Sequence, residues 1–323
     1  MKVKGKARAH ANIALIKYWG KRNDRLVLPM NGSLSLTLDC FYTETEVIFK
    51  EDIEKDYFYL NDNIQDEVAT NKISNFLDLF RKAVKINMPA VVKSINYVPT
   101  AAGLASSASG FAALAAAANV ASGLNLNNKE LSIYARRGSG SATRSIYGGL
   151  VEWQKGICNE DSYAVPIDDA KWDIGMVVVI VNAKEKLISS REGMKRTVET
   201  SPFYEDWVEG AEEDLKQIKV AIKKRDFEQM GLIAERNGLK MHATMLGANP
   251  PLSYWEPESV TVMQIVRELR KEGIPCYFTM DAGPNVKILC KLSESQKIKE
   301  RLTQFFDKEQ IIITGPGPGV TIL

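Results

Sequence analysis

Pro99-Thr-Ala-Ala-Gly103-Leu-Ala-Ser106-Ser107-Ala108 joins an apolar, β-branched run, Val91 to Val98, to an alanine-dense stretch, Ser106 to Ser122. The first run has strand composition. The second is built of helix formers small enough for close packing. A glycine turn at a helix N-terminus lets backbone amides approach an oxyanion, with unpaired N–H groups and the positive end of the helix behind them. Ser106 and Ser107 add hydroxyl donors. The same residues also describe a serine-capped helix with small side chains for packing, and the local pattern leaves both readings open. No GxxxxGK[ST] occurs, which excludes a Walker-type loop.

On the N-terminal side, Ala7 to Tyr18 and Ser33 to Leu38 read as strands, and Val47 to Phe49 with Tyr57 to Leu60 as a hairpin in the same sheet. Ile73, Phe76, Leu77, Phe80 and Val84 recur at helical spacing. On the C-terminal side, Asn128 to Arg136 reads as a helix, Gly138 to Ser141 as a loop and Met176 to Val181 as a buried strand. Beyond Asn182 come helices over Glu205 to Arg225, Phe227 to Met245 and Pro257 to Glu272, the last opened by Pro and stopped by Gly273. Strands Cys276 to Met280 and Val286 to Cys290 flank Asp281-Ala-Gly-Pro284; a helix over Ser293 to Phe306 and a strand over Ile311 to Thr314 follow. The expected class is α+β in two domains, 1–180 and 181–323.

The 323 residues suit two domains of ordinary size. Lys and Arg number 42 against 40 Asp and Glu, so no global field recruits nucleic acid or an acidic membrane. Two histidines and four scattered cysteines carry no CxxC or HExxH spacing, which argues against a zinc site of local ligand pairs and against a disulfide framework. The basic start, Met-Lys-Val-Lys-Gly-Lys, is followed by an apolar run broken at Asn12 and Lys17, unlike a signal peptide. Cytoplasmic localisation is the expectation.

Three further segments carry chemistry. Ser139-Gly-Ser141-Ala-Thr143-Arg144 is rich in donors and ends in a cation able to grip a carboxylate or phosphate in two places, or else is a polar loop with a surface ion pair. Asn12 to Arg22 ends a strand in Lys17-Tyr18-Trp19-Gly20-Lys21, aromatics among cations, which suits a phosphorylated ligand or a solvated strand edge. Asp281 in Met-Asp-Ala-Gly is by pattern an Asx-turn residue, and becomes catalytic only if the fold sets it opposite the phosphate loops.

Together these segments resemble the GHMP kinase superfamily and, within it, the diphosphomevalonate decarboxylase family. Pro99 to Ala108 is similar to the superfamily's P-x-x-x-G-L-x-S-S-A loop, with Ala101 and Ala105 where many of the kinases carry glycine. Lys17-Tyr-Trp-Gly-Lys21-Arg22, Leu28-Pro29 with Asn31-x-Ser33-Leu34-Ser35, Ala135-Arg136-x-Gly138-Ser139-Gly140-Ser141, and Arg144-Ser145-x-Tyr147-Gly148-Gly149 are similar to the decarboxylase signatures. So are Ser189-Ser190-x-x-Gly193-Met194, Asp281-Ala-Gly-Pro-Asn285 and Gly315-Pro-Gly-Pro318.

The resemblance implies a GHMP kinase-like fold with an ATP-binding N-terminal domain and a cleft active site between domains. It implies phosphorylation of the tertiary hydroxyl of mevalonate 5-diphosphate by ATP and Mg2+, then loss of phosphate and carbon dioxide to give isopentenyl diphosphate. Asp281 is then the base, Arg144 the holder of the substrate carboxylate, Asn12 the partner that fixes Arg144, and Lys17 the cation beside Asp281. Tyr18, Trp19, Gly20, Lys21, Ser139, Gly140, Ser141, Ala142, Thr143, Arg144, Ser190, Arg191 and Met194 bind the substrate. Ala102, Gly103, Leu104, Ala105, Ser106, Ser107 and Ser190 bind ATP, with no metal ligand assigned to a side chain. Arg191 departs from the pattern, standing where some members carry a hydroxyl residue; His10 and Cys158 are structural. A homodimer without nucleic-acid or membrane partners is expected. The alternatives are a GHMP small-molecule kinase, such as a mevalonate or phosphomevalonate kinase, which stops at phosphoryl transfer, and a non-catalytic RNA-binding protein, against which the near-neutral charge argues.

Overall fold

The computed structural model describes residues 3–97, 106–182 and 188–323. Strand β1 (Lys4–Ile16) leads through a small ribbon, β2 (Lys21–Asn23) and β3 (Leu28–Pro29), to β4 (Ser33–Phe49). Next come β5 (Tyr57–Leu60), β6 (Asn63–Ile64), helix α1 (Glu67–Val84), β7 (Ala90–Asn96), α2 (Ser106–Ser122) and α3 (Asn128–Gly138). A 3-10 helix over Gly140–Ile146 leads to β8 (Leu150–Trp153), β9 (Ala164–Asp168) and β10 (Gly175–Val179). Four helices follow: α4 (Ser190–Thr200), α5 (Tyr204–Lys224), α6 (Phe227–Leu246) and α7 (Pro257–Lys271). The chain closes with β11 (Cys276–Met280), β12 (Val286–Cys290), α8 (Ser295–Leu302), β13 (Ile311–Thr314) and β14 (Thr321–Ile322).

Two sheets alternate with three helical layers. The larger runs β14-β1-β4-β7-β5-β6, with β8 and β9 attached along β4; the smaller runs β11-β12-β10-β13. Helices α1 to α3 cover one face of the larger sheet through Phe76, Leu77, Phe80, Phe111 and the α2 alanines. Helices α5 and α6 fill the space between the sheets, where Leu215, Ile218, Met230 and Ile233 meet Ile13 and Leu36 on one side and Met176 and Val178 on the other. The alternate residues Val177 and Val179 face α7 and α8. The smaller sheet is therefore buried on both faces, which is why β10 reads as an unbroken apolar run, whereas β7 and the start of β1 alternate buried with more exposed residues.

A register shift in β1 between His10 and Asn12 positions the functional site. Before it, Ala7 and Ala9 pack with α2; after it, Ala11, Ile13 and Leu15 pack with α5 and α6. A one-residue slip exchanges the faces of a strand, so Asn12 and Ala14 turn toward an open cleft instead of the α5–α6 layer. The alanine surface of α2 has a matching purpose. A Cβ added to Gly5 of β1 would lie 2.2 Å from the Ala117 carbonyl oxygen, so strand and helix approach closer than any side chain there allows.

The α+β class read from the sequence holds, and β11, β12 and β13 lie where their composition placed them. The expected hairpin does not form. Val47–Phe49 is the end of the 17-residue β4, and Tyr57–Leu60 pairs in parallel with β7, with Tyr57 opposite Val91. Parallel neighbours need a long crossover, and α1 supplies it. The polar segment Gly138–Ser141 runs into a 3-10 helix. Helix α4, started by the Ser189 side chain accepting from the Glu192 amide, was not read from the sequence. Its composition, SREGMKRTVET, lacks an apolar stripe.

Candidate active site

A cleft of about 1140 Å³ opens between the ends of the two sheets. Lys17, the first residue beyond β1, sits in its floor and is 1% exposed. Leaving the sheet frees its backbone polar groups, and two buried amides receive them: Asn237 Oδ1 accepts the Lys17 N–H at 2.8 Å, and Asn31 Nδ2 donates to its carbonyl at 2.9 Å. The ammonium donates to Ala14 O and to Asp281 Oδ1, both at 2.8 Å. Burial pushes the Lys17 pKa down from its ordinary value, and Asp281 opposes that shift. Asp281 follows β11 directly, and its second oxygen lies 3.4 Å from Lys287 Nζ.

Arg144 is held in the 3-10 helix and 2% exposed. One terminal nitrogen donates to Ser33 Oγ at 2.5 Å and the other to Asn12 Oδ1 at 3.2 Å. The Asn12 amide donates to Ser141 O at 3.0 Å and Ser145 Oγ at 2.8 Å, so the turned residue of β1 locks the 3-10 helix and aims Arg144. Burial lowers the Arg144 pKa to about 10, with Asp281 pulling the other way, and leaves the group cationic at neutral pH. Among the described residues its Nε has no hydrogen-bond partner, and neither does the buried Tyr18 Oη. Polar atoms buried without partners are costly, and both residues line the cleft, where a ligand oxygen can satisfy them.

Around this floor the cleft gathers most of the residues expected from the sequence: Asn12, Lys17, Tyr18, Trp19, Lys21, Ser139, Gly140, Ser141, Arg144, Ser190, Arg191, Met194 and Asp281. Ser107 at the start of α2 faces the same space, and Ser139 Oγ lies 3.4 Å from its hydroxyl. Helix α4 brings Ser190, Arg191 and Met194 across from these donors.

Gly20, Ala142 and Thr143 do not line the cleft. Gly20 has φ +114°, and a Cβ there would fall 1.8 Å from Tyr204 Oη, which donates to Trp19 O at 2.6 Å. Gly20 therefore serves the packing of Trp19. Ala142 and Thr143 are buried in the 3-10 helix, and Thr143 Oγ1 donates to Gly140 O at 2.7 Å. The expected ATP-binding Ala102, Gly103, Leu104 and Ala105 lie outside the described residues, as does the Ser106 side chain.

Several lining residues escaped the sequence reading, among them Arg25, Arg137, Lys195 and Met241. These come from four separate segments with no shared motif, and only the fold collects them. Lys287 left a usable signal: a lone lysine inside the buried run Val286–Cys290, six residues after Asp281.

Residues 9–164 match the family model of the diphosphomevalonate decarboxylase-like N-terminal domain, and residues 176–315 that of the mevalonate 5-diphosphate decarboxylase C-terminal domain. The diphosphomevalonate decarboxylase of Ganoderma lucidum is 36% identical over 329 residues, covering 94% of this chain and 82% of the relative. A solved structure of MDDEF in complex with MVAPP, AMPPCP and magnesium is 54% identical, covers 99% of both chains and superposes with a TM-score of 0.95. The mevalonate diphosphate decarboxylase of Staphylococcus aureus is 50% identical, with a TM-score of 0.97 over 100% of this chain and 98% of the other. Two domain models in order, a cleft that assembles their signature residues and relatives aligned nearly end to end lead to one conclusion: this chain belongs to the diphosphomevalonate decarboxylase family.

Proposed function

We propose that the cleft carries out the ATP-dependent decarboxylation of mevalonate 5-diphosphate to isopentenyl diphosphate, ADP, phosphate and carbon dioxide. The observation that carries this reading is the meeting, in one cleft, of Asp281 held by Lys17 with Arg144 held by Asn12. Tertiary alcohol chemistry calls for an anion opposite a carboxylate clamp. The related structure bound to MVAPP, AMPPCP and magnesium supports ATP and Mg2+ as the co-substrate and metal. Magnesium favours substrate phosphates and water with one or two protein oxygens, and the hydroxyls of Ser107, Ser139 and Ser190 fit that donor chemistry. ATP supplies the phosphoryl group that makes the tertiary oxygen a leaving group, and magnesium neutralises its phosphates.

Asp281 orients the tertiary hydroxyl and takes its proton. Phosphoryl transfer through a loose transition state needs little early deprotonation, so a carboxylate steadied by cations is suited to positioning first and accepting the proton late. Once the new phosphate departs, positive charge develops at the third carbon, and an anion fixed in place stabilises it without reorganisation. Arg144 keeps the substrate carboxylate aligned so that the carbon–carbon bond breaks into the forming double bond. Lys17 keeps Asp281 ionised and neutralises the transferring phosphate. Tyr18, Lys21, Ser139, Ser141 and Arg191 take the diphosphate, and the Ser107 end of α2 takes the ATP phosphates.

The exchange of sheets supports a two-domain division slightly earlier than residue 180, since β9 belongs to the larger sheet and β10 to the smaller. The pairing of β14 with β1 supports counting the last residues, expected in the 181–323 domain, with the N-terminal unit instead. A cytoplasmic homodimer is part of the proposal. The four cysteines are free, two of them exposed, which fits a reducing compartment. No helix among the described residues is long and apolar enough to cross a membrane.

The test is simultaneous measurement of ADP and carbon dioxide with mevalonate 5-diphosphate and ATP. One carbon dioxide per ADP is expected. ADP formed without carbon dioxide assigns the chain to a kinase activity instead.

A further inference from the structure

Lys287 is 1% exposed and lies on the face of β12 turned toward the α5–α6 layer, whereas its neighbours Val286 and Ile288 face α7 and α8. A lysine so placed needs a reason, because an ammonium withdrawn from water is stabilised only by its partners. Its contacts are the Asn285 carbonyl at 3.0 Å and Asp281 Oδ2 at 3.4 Å. Lys17 holds Oδ1 of the same carboxylate at 2.8 Å. The turn between β11 and β12 makes this geometry reproducible, since Met280 pairs with Val286 directly beside both residues.

We propose that Lys287 is a positioning residue for the reaction: it clamps the oxygen of Asp281 that Lys17 leaves, fixes the carboxylate plane toward the cleft and keeps it anionic. The inference rests on the reading of Asp281 given above. Two cations on separate oxygens fix both the position and the rotation of the carboxylate. Among the described residues, the charged and titratable groups facing Asp281 are Lys17 beyond β1, Arg144 in the 3-10 helix, Lys287 on β12, and His242 on α6, whose Nε2 lies 3.3 Å from Met280 O. The first three are basic, and burial keeps His242 neutral near pH 7. Removing one cation from this set favours protonation of the carboxylate.

The test is Lys287→Met, alone and combined with Asp281→Asn, assayed with mevalonate 5-diphosphate and ATP across pH. The expected result is a kcat about tenfold lower, a substrate KM changed by no more than about twofold, and an acid limb moved to higher pH by about one unit. In the Asp281→Asn background the further loss from Lys287→Met is expected to vanish, because the group it serves is gone. An unshifted acid limb, or an undiminished effect in the Asp281→Asn background, overturns the proposal. So does a protein that fails to fold in both backgrounds, which assigns Lys287 to the fold. Near-normal turnover in Asp281→Asn alone overturns the underlying reading of Asp281 instead, so the two failures are distinct.

Discussion

Asp214 and Asp281 each hold two cations, Arg236 and Lys240 in the first case and Lys17 and Lys287 in the second. The two clusters are inside out with respect to each other. At Asp214 the carboxylate is hidden, its side chain 2% exposed, while Arg236 and Lys240 are 52% and 37% exposed. At Asp281 the cations are hidden, Lys17 at 2% and Lys287 at 1%, and the carboxylate is 30% exposed to the cleft. Withdrawing an ion from water costs several kcal/mol, so the buried member marks what each cluster is for. Asp214 ties α5 to α6: it accepts from Arg236 at 2.7 Å and from Lys240 and Asn237 at 3.0 Å, and solvent carries the rest of the charge. The Asp281 cluster buries its cations to present an anion. Asn237 connects the two, bonded to Asp214 through its amide nitrogen and to the Lys17 backbone through its oxygen.

The sharpest way to break this contrast is Asp281→Asn. Turnover is expected to fall roughly a thousandfold or more, while calorimetric binding of mevalonate 5-diphosphate and nucleotide persists. Retained turnover removes the anion from the mechanism. Arg144→Gln comes next, with a loss of about a hundredfold in kcat and an ATP KM within about threefold of normal. A defect confined to ATP affinity contradicts the carboxylate-clamp role. Asp214→Asn is expected to lower unfolding free energy by about 3 kcal/mol, because it uncouples a buried anion from its three donors. Denaturant melts measure that loss, and turnover per folded molecule stays within about threefold.

The smallest effect lies in pH. Burial lowers the His242 pKa from 6.5 to about 4. Between those values the unfolded chain binds the proton and the folded one does not, so the stability is fully present above 6.5 and is lost as pH falls toward 4. From neutrality to about pH 5 the expected loss is about 2 kcal/mol. Its removal in His242→Gln, seen as a flatter stability curve over that window, is the check; an unchanged curve excludes the histidine as its source.

What the sequence disclosed follows from how locally each feature is encoded. β11, Asp281 and β12 are written in consecutive residues, so strands and turn carboxylate were readable together. Arg144 was readable as a cation, but its aim depends on Asn12, which reaches it only because the β1 bulge turns that residue around. The parallel pairing of β5 with β7 depends on a crossover through α1 that no local pattern reports. Gly20 and Thr143 sit beside the cleft-lining residues in sequence, yet Gly20 packs against Tyr204 and Thr143 bonds within its own helix, contacts that no local pattern reports. Lys287 stands out in the sequence as a lone lysine in an apolar strand, but only its burial and its distance to Asp281 tie it to the site.

The central claim is that one of these two carboxylates serves the reaction and the other the fold. The direct measurement is turnover per folded molecule in Asp281→Asn and Asp214→Asn, each corrected by its own denaturant melt. The predicted result is a loss of roughly a thousandfold in the first and less than about threefold in the second. Equal losses in the two variants, or near-normal turnover in Asp281→Asn, would contradict it.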